Sequence, residues 1–104
     1  MTPDLQKTVV EVHPEVSFWA LSDKQSMKHK KISKAGKQER FQSLSRVFVD
    51  DLASVSIPKG AALDDLLDAC AAAWTAGRVA YGTAKRLPPD PPRDSRGLRM
   101  EIVY

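Results

Sequence analysis

Leu63-Asp64-Asp65-Leu66-Leu67-Asp68-Ala69-Cys70, continued by Ala71-Ala72-Ala73-Trp74, is the stretch whose reading decides the fold. Leu63, Leu66, Leu67, Cys70, Trp74 and Tyr81 recur at helical spacing, which predicts a long helix from Ala61 to about Ala84. Beyond Asp68 the pattern is nearly apolar all round through Ala76, so most of this helix is expected to be buried. Gly77 and Gly82 weaken its later turns by about 1 kcal/mol each relative to alanine.

Working upstream, Pro58-Lys59-Gly60 separates this helix from a second one. Phe41, Leu44, Val47, Phe48 and Leu52 recur at helical spacing, with Glu39, Arg40, Gln42, Ser43 and Arg46 between them, and predict an amphipathic helix over 37–52. Residues 24–37 carry six lysines and His29 with almost no apolar content, and read as a basic, solvated loop. Pro14 suits the first turn of a short helix through Leu21. Before it, Thr8-Val9-Val10-Glu11-Val12-His13 is β-branched and reads as a strand covered on both faces, ended by the missing N–H of Pro14.

Downstream, Pro88-Pro89-Asp90-Pro91-Pro92 can form neither helix nor ladder, and residues 88–97 read as a stiff, proline-rich connector. From Leu98 to Tyr104, Leu98, Met100, Ile102 and Tyr104 alternate with Arg99, Glu101 and Val103, which predicts a half-exposed terminal strand. The expected class is therefore α/β, one domain over residues 1–104. Two strands are few for two helices whose apolar faces need a sheet, and a two-stranded sheet is rarely stable by itself. The expectation is that further strands belong upstream of Met1, and that an open sheet edge invites self-association.

The chain has 104 residues, 42% hydrophobic and 28% charged, which fits a folded globular domain and not a disordered chain. Its net charge of +3 permits an anionic partner without requiring one. Cys70 is the single cysteine, which excludes an internal disulfide and a multi-cysteine zinc site. No apolar run reaches the ~18 residues of a membrane span, and the first residues lack a signal core, so a cytoplasmic protein without membrane contact is expected.

Two groups of carboxylates carry the candidate chemistry: Glu11-Val12-His13-Pro14-Glu15 at a strand end, and Asp64-Asp65-Leu66-Leu67-Asp68 at a helix start. Strand ends are where α/β folds gather ligands. Asp65 and Asp68 lie three apart, on one helix face at about 5–6 Å between Cβ atoms, so both can lean toward one hard cation. Each has a structural alternative. Asp64 and Asp65 suit the positive end of the helix macrodipole, Asp68 can face solvent, and Glu11 can pair with a lysine. Trp19 and Trp74 read as core.

At these motifs, and at Arg96-Gly97-Leu98-Arg99-Met100-Glu101-Ile102-Val103-Tyr104, the chain resembles the C-terminal half of the domain-of-unknown-function 429 family, bacterial proteins described as predicted nucleases with an RNase H fold. The resemblance implies a partial RNase H-like fold of strand, amphipathic helix, long buried helix and terminal strand, lacking the N-terminal strands. It implies Mg²⁺ or Mn²⁺ held by Glu11, Asp65 and Asp68 for phosphodiester hydrolysis, together with an aspartate on a first strand that this chain does not contain. Activity of the chain alone is then expected to be weak or absent. Lys28, Lys30, Lys31 and Lys34 would track a nucleic-acid backbone. The alternative is a non-catalytic α/β module that binds protein or nucleic acid through its basic loop, its acids serving only caps and ion pairs.

Overall fold

The computed structural model describes residues 1–48 and 52–104. Three helices, α1 (Pro14–Leu21), α2 (Lys34–Ser45) and α3 (Leu63–Ala80), pack on one another. They stand beside a short antiparallel ladder of β1 (Arg86–Leu87) and β2 (Ile102–Val103). The protein is thus mixed α/β.

Helix α1 begins at Pro14, whose fixed φ suits the first turn and whose missing N–H would have no helical partner there. It buries Ser17 and Phe18 and closes at Ser22, after which Asp23 and Lys24 turn the chain at φ 55° and 62°. Helix α2 starts three residues earlier than the apolar spacing predicts. Ser33 caps it, its Oγ accepting from the Gly36 N–H at 2.9 Å and donating to the Lys30 carbonyl at 2.7 Å. The cap draws the Lys30 carbonyl so close to Gly36 that a Cβ there would lie 1.8 Å from its oxygen. At its other end α2 stops at Ser45, short of the expected Leu52. Residues 49–51 of that expected helix lie outside the described residues, and Leu52–Ser54 form a 3-10 turn.

Helix α3 follows the expected span to within a few residues, and its buried stripe is Leu67, Ala71 and Thr75, at i, i+4 and i+8. Phe18, Leu44, Leu52, Leu67 and Ala71 form the core, with Phe41, Phe48, Leu63 and Cys70 packed against it. Thr75 Oγ1 and Ser17 Oγ share a buried hydrogen bond of 2.8 Å that joins α3 to α1. The expectation that most of α3 is buried is corrected here. Ala69, Ala73 and Ala76 face solvent, and Tyr81 is 86% exposed. An alanine methyl removes too little area from water to force its face inward.

The expected strand over Thr8–His13 is reduced to one parallel bridge, Val12 to Val103, in which the Val103 N–H donates to the Glu11 carbonyl at 2.9 Å. It is not covered on both faces, since Val9 is 49% exposed. Of the terminal strand expected over Leu98–Tyr104 only Ile102–Val103 is laddered, paired with an Arg86–Leu87 segment absent from the expectation: Arg86 opposes Val103 and Leu87 opposes Ile102. Its faces are assigned otherwise than expected. Glu101, Val103 and Tyr104 are all buried while Met100 is 55% exposed, and the Glu101 carboxylate is kept inside beside Arg86 and Arg99. Trp19 meets Tyr104 edge to face, ring centroids 5.3 Å apart, and ties α1 to the last residue. Among the described residues no helix is long and apolar enough to cross a membrane.

Candidate functional site

Helix α1 presents Glu15 in its first turn, and α2 presents Arg40 one turn and a half from its start. The Arg40 guanidinium meets the Glu15 carboxylate with two parallel bonds, Nε to Oε1 at 2.9 Å and Nη2 to Oε2 at 2.7 Å. Its Nη1 donates to the carbonyls of His29 and Gly36, at 3.1 and 2.9 Å, and the cation lies 5.7 Å from the centre of the Phe18 ring. Arg40 is buried, and four of its N–H donors are used on the carboxylate and two carbonyls. The hydrogen bonds to Glu15 hold its pKa above the usual arginine value against the opposing effect of burial.

The loop between α1 and α2 adds Lys31, whose Nζ donates to Asp68 Oδ2 on α3. This bond is the main reason the Lys31 ammonium is held above its ordinary pKa, with the charges of Glu15 and Asp64 acting in the same direction. Asp68 Oδ1 is buried and accepts no hydrogen bond among the described residues. Three helices and one loop thus converge on an alternating cluster of Glu15, Arg40, Lys31 and Asp68, with Asp64 close enough to act on Lys31 through space.

The expected site residues are placed as follows. Asp68 is in the cluster. Asp65 is exposed and its Oδ2 accepts from the Ala62 N–H at 2.9 Å, holding the start of α3. Glu11 is exposed and lines a cavity of about 460 Å³ on the strand side, a cavity that also touches Arg99 and Glu101 but neither Asp65 nor Asp68. Among the described residues, no three His, Cys, Asp or Glu side chains are grouped as a metal site. Of the lysines, Lys28, Lys30 and Lys34 are exposed, while Lys31 is half-buried on Asp68. Glu15 and Arg40 are the residues the sequence reading left out. Glu15 stood within the quoted strand-end motif, but nothing in the α2 periodicity marked Arg40 as facing inward.

A second acid on the loop side is fixed from the backbone. Burial alone would raise the Glu39 pKa, but the N–H groups of Lys28 (2.9 and 3.0 Å) and His29 (3.1 Å) donate to its carboxylate and hold it below the ordinary value. The basic loop therefore has a fixed path, pinned by Glu39 at Lys28 and by Asp68 at Lys31.

Fold and site together define a small mixed α/β protein with an ionic cluster between three helices. The chain belongs to the family described as "Protein of unknown function (DUF429)", whose model matches residues 1–93. The matched residues contain both carboxylate motifs, and the closing motif lies beyond them. No curated protein and no solved structure matches the chain.

Proposed function

We propose that this chain carries part of an RNase H-like, divalent-metal-dependent phosphodiesterase site, with weak or no activity by itself. The observation that supports the reading is the state of Asp68: a half-buried carboxylate on a helix, one oxygen on a cation from the basic loop and the other buried without a hydrogen-bond partner among the described residues. The buried Oδ1 lacks a donor, and a hard cation is one partner that would satisfy it. In this reading Asp68 would hold Mg²⁺ or Mn²⁺, with Asp65 on the same helix, while Glu11, the third acid that the resemblance implies, lines a separate cavity that touches neither. The cation would activate water and offset charge on the leaving oxygen. The chain's own contributions are the Arg40 clamp that orients Glu15 and the exposed Lys28, Lys30 and Lys34, which draw a phosphate backbone.

A second reading is favoured by the same geometry read for its partners. Glu15 is paired with Arg40, Asp65 holds a helix start and Asp68 is paired with Lys31, so each acid has structural work. The chain would then be a non-catalytic module binding protein or nucleic acid through the exposed lysines.

Calorimetric titration of Mn²⁺ into the protein and into Asp68→Asn, beside cleavage assays on single-stranded, duplex and junction nucleic acids, separates the two. The nuclease reading expects weak Mn²⁺ binding that the substitution removes. Equal metal affinity in both proteins would leave the binding module as the function.

A further inference from the structure

The carboxyl-terminal ladder holds a feature that neither reading uses. Glu101 is a buried carboxylate, its side chain 3% exposed, set between two arginines. Arg99 Nε donates to its Oε1 at 2.9 Å, and Arg86 Nε lies 3.4 Å from Oε2 without hydrogen-bond alignment. One carboxylate thus faces two guanidiniums and leaves an excess of positive charge. Gln6 locks the arrangement from the other end of the chain. Its side-chain amide exchanges hydrogen bonds with the Arg99 backbone at 2.9 and 3.1 Å, while its carbonyl accepts from Arg99 Nη2 at 3.2 Å.

The two arginines line a cleft of about 520 Å³ together with Lys7 and Lys85. Among the described residues no carboxylate lines it. Lys7 has an exposed partner in Asp4 at 3.2 Å, and the Lys85 ammonium has no ion-pair partner among the described residues. The rest of the wall is largely apolar, with Val10, Val79 and Val103. The volume lies within the range of small-ligand sites, and the mixture of cations with an apolar wall suits a ligand that is anionic at one end and apolar at the other. Arginine presents paired donors that match phosphate oxygens; Glu101 holds the Arg99 guanidinium by a hydrogen bond and draws the half-exposed Arg86 guanidinium by charge before a ligand arrives.

We propose that this cleft binds a phosphate monoester carrying an apolar or aromatic body, of mononucleotide size, with Lys85 and Arg86 on the phosphate and Glu101 as a positioning residue. The cleft is lined by none of Glu15, Lys31, Arg40 and Asp68 and does not rest on the metal reading. The test is an NMR titration of the 104-residue protein with 5′-AMP, inorganic phosphate and adenosine, repeated on Lys85→Gln and Arg86→Gln. The Lys85 side chain has no ion pair to lose, so Lys85→Gln keeps the test valid if Arg86→Gln disturbs the ladder. The expected result is saturable binding of 5′-AMP with shifts confined to residues around 6–10, 79–86 and 99–103. Phosphate is expected to bind more weakly and adenosine least, and each substitution to lower 5′-AMP affinity by about tenfold. The proposal is overturned if neither 5′-AMP nor phosphate binds, or if Lys85→Gln leaves the affinity unchanged. Shifts that map to the lysine loop, or binding of an oligonucleotide without 5′-AMP, would overturn it as well.

Discussion

The Lys31 ammonium is hydrogen-bonded to Asp68 across 37 residues of sequence, placing a loop cation where the nuclease reading puts a metal. Both side chains are partly exposed, so the pair is worth at most about 1 kcal/mol. Lys31→Met removes the competing charge. It is expected to raise Mn²⁺ affinity by up to about fivefold if Asp68 is a ligand. Titration of Mn²⁺ into both proteins checks this, and an unchanged or lower affinity speaks for the non-catalytic module.

Glu15 is the counter-charge of an arginine that is almost fully buried. Glu15→Gln keeps the shape of the side chain but leaves Arg40 without its anion. The expected loss is about 2–3 kcal/mol of stability, below the full penalty for a buried pair because Glu15 itself is 37% exposed. Urea denaturation measures it. A loss under about 0.5 kcal/mol would mean that the pair behaves as a surface contact.

Gly36 offers a prediction opposite in sign to helix propensity. Alanine at an ordinary helical position would stabilise by about 1 kcal/mol. Here its Cβ would meet the Lys30 carbonyl oxygen at 1.8 Å, so the cap must move. Gly36→Ala is expected to destabilise by about 1–3 kcal/mol. A rise in Tm would show that the Ser33 cap yields freely.

The lowered pKa of Glu39 ties the loop path to pH. A carboxyl whose folded pKa is depressed stabilises fully above its unfolded value near 4.5, and that contribution is lost as pH falls through the folded value. Lys31 has the opposite sign: its raised pKa stabilises fully below about 10.5 and is lost above the folded value. Thermal melts across pH 3–6 should show a steeper acid limb in the natural protein than in Glu39→Gln. Coincident limbs would remove Glu39 from the acid response.

The three helices were legible because their apolar positions repeat, and Pro14 and Pro58-Lys59-Gly60 mark their limits. What escaped was set by polar atoms. The start of α2 depends on the Ser33 cap and a glycine under a carbonyl, neither of which adds to an apolar pattern. The inward face of the last strand is occupied by Glu101, which periodicity assigns to water but two arginines retain inside. In the site, Asp68 stood out as an acid in an apolar stretch. Arg40 did not, because an arginine on an amphipathic helix reads as solvated until a carboxylate from another helix is placed beside it.

Gln6 and Arg99 clasp each other over 93 residues of intervening chain, so the first and last segments form one ribbon. A contact this distant in sequence carries the full entropy of closing a long loop, whereas each helix closes locally. The order of assembly is expected to run accordingly, helices first and ribbon last. In hydrogen exchange the amides of Arg99 and Val103 would then report the same opening, with both ends of the chain released together while the helices stay closed.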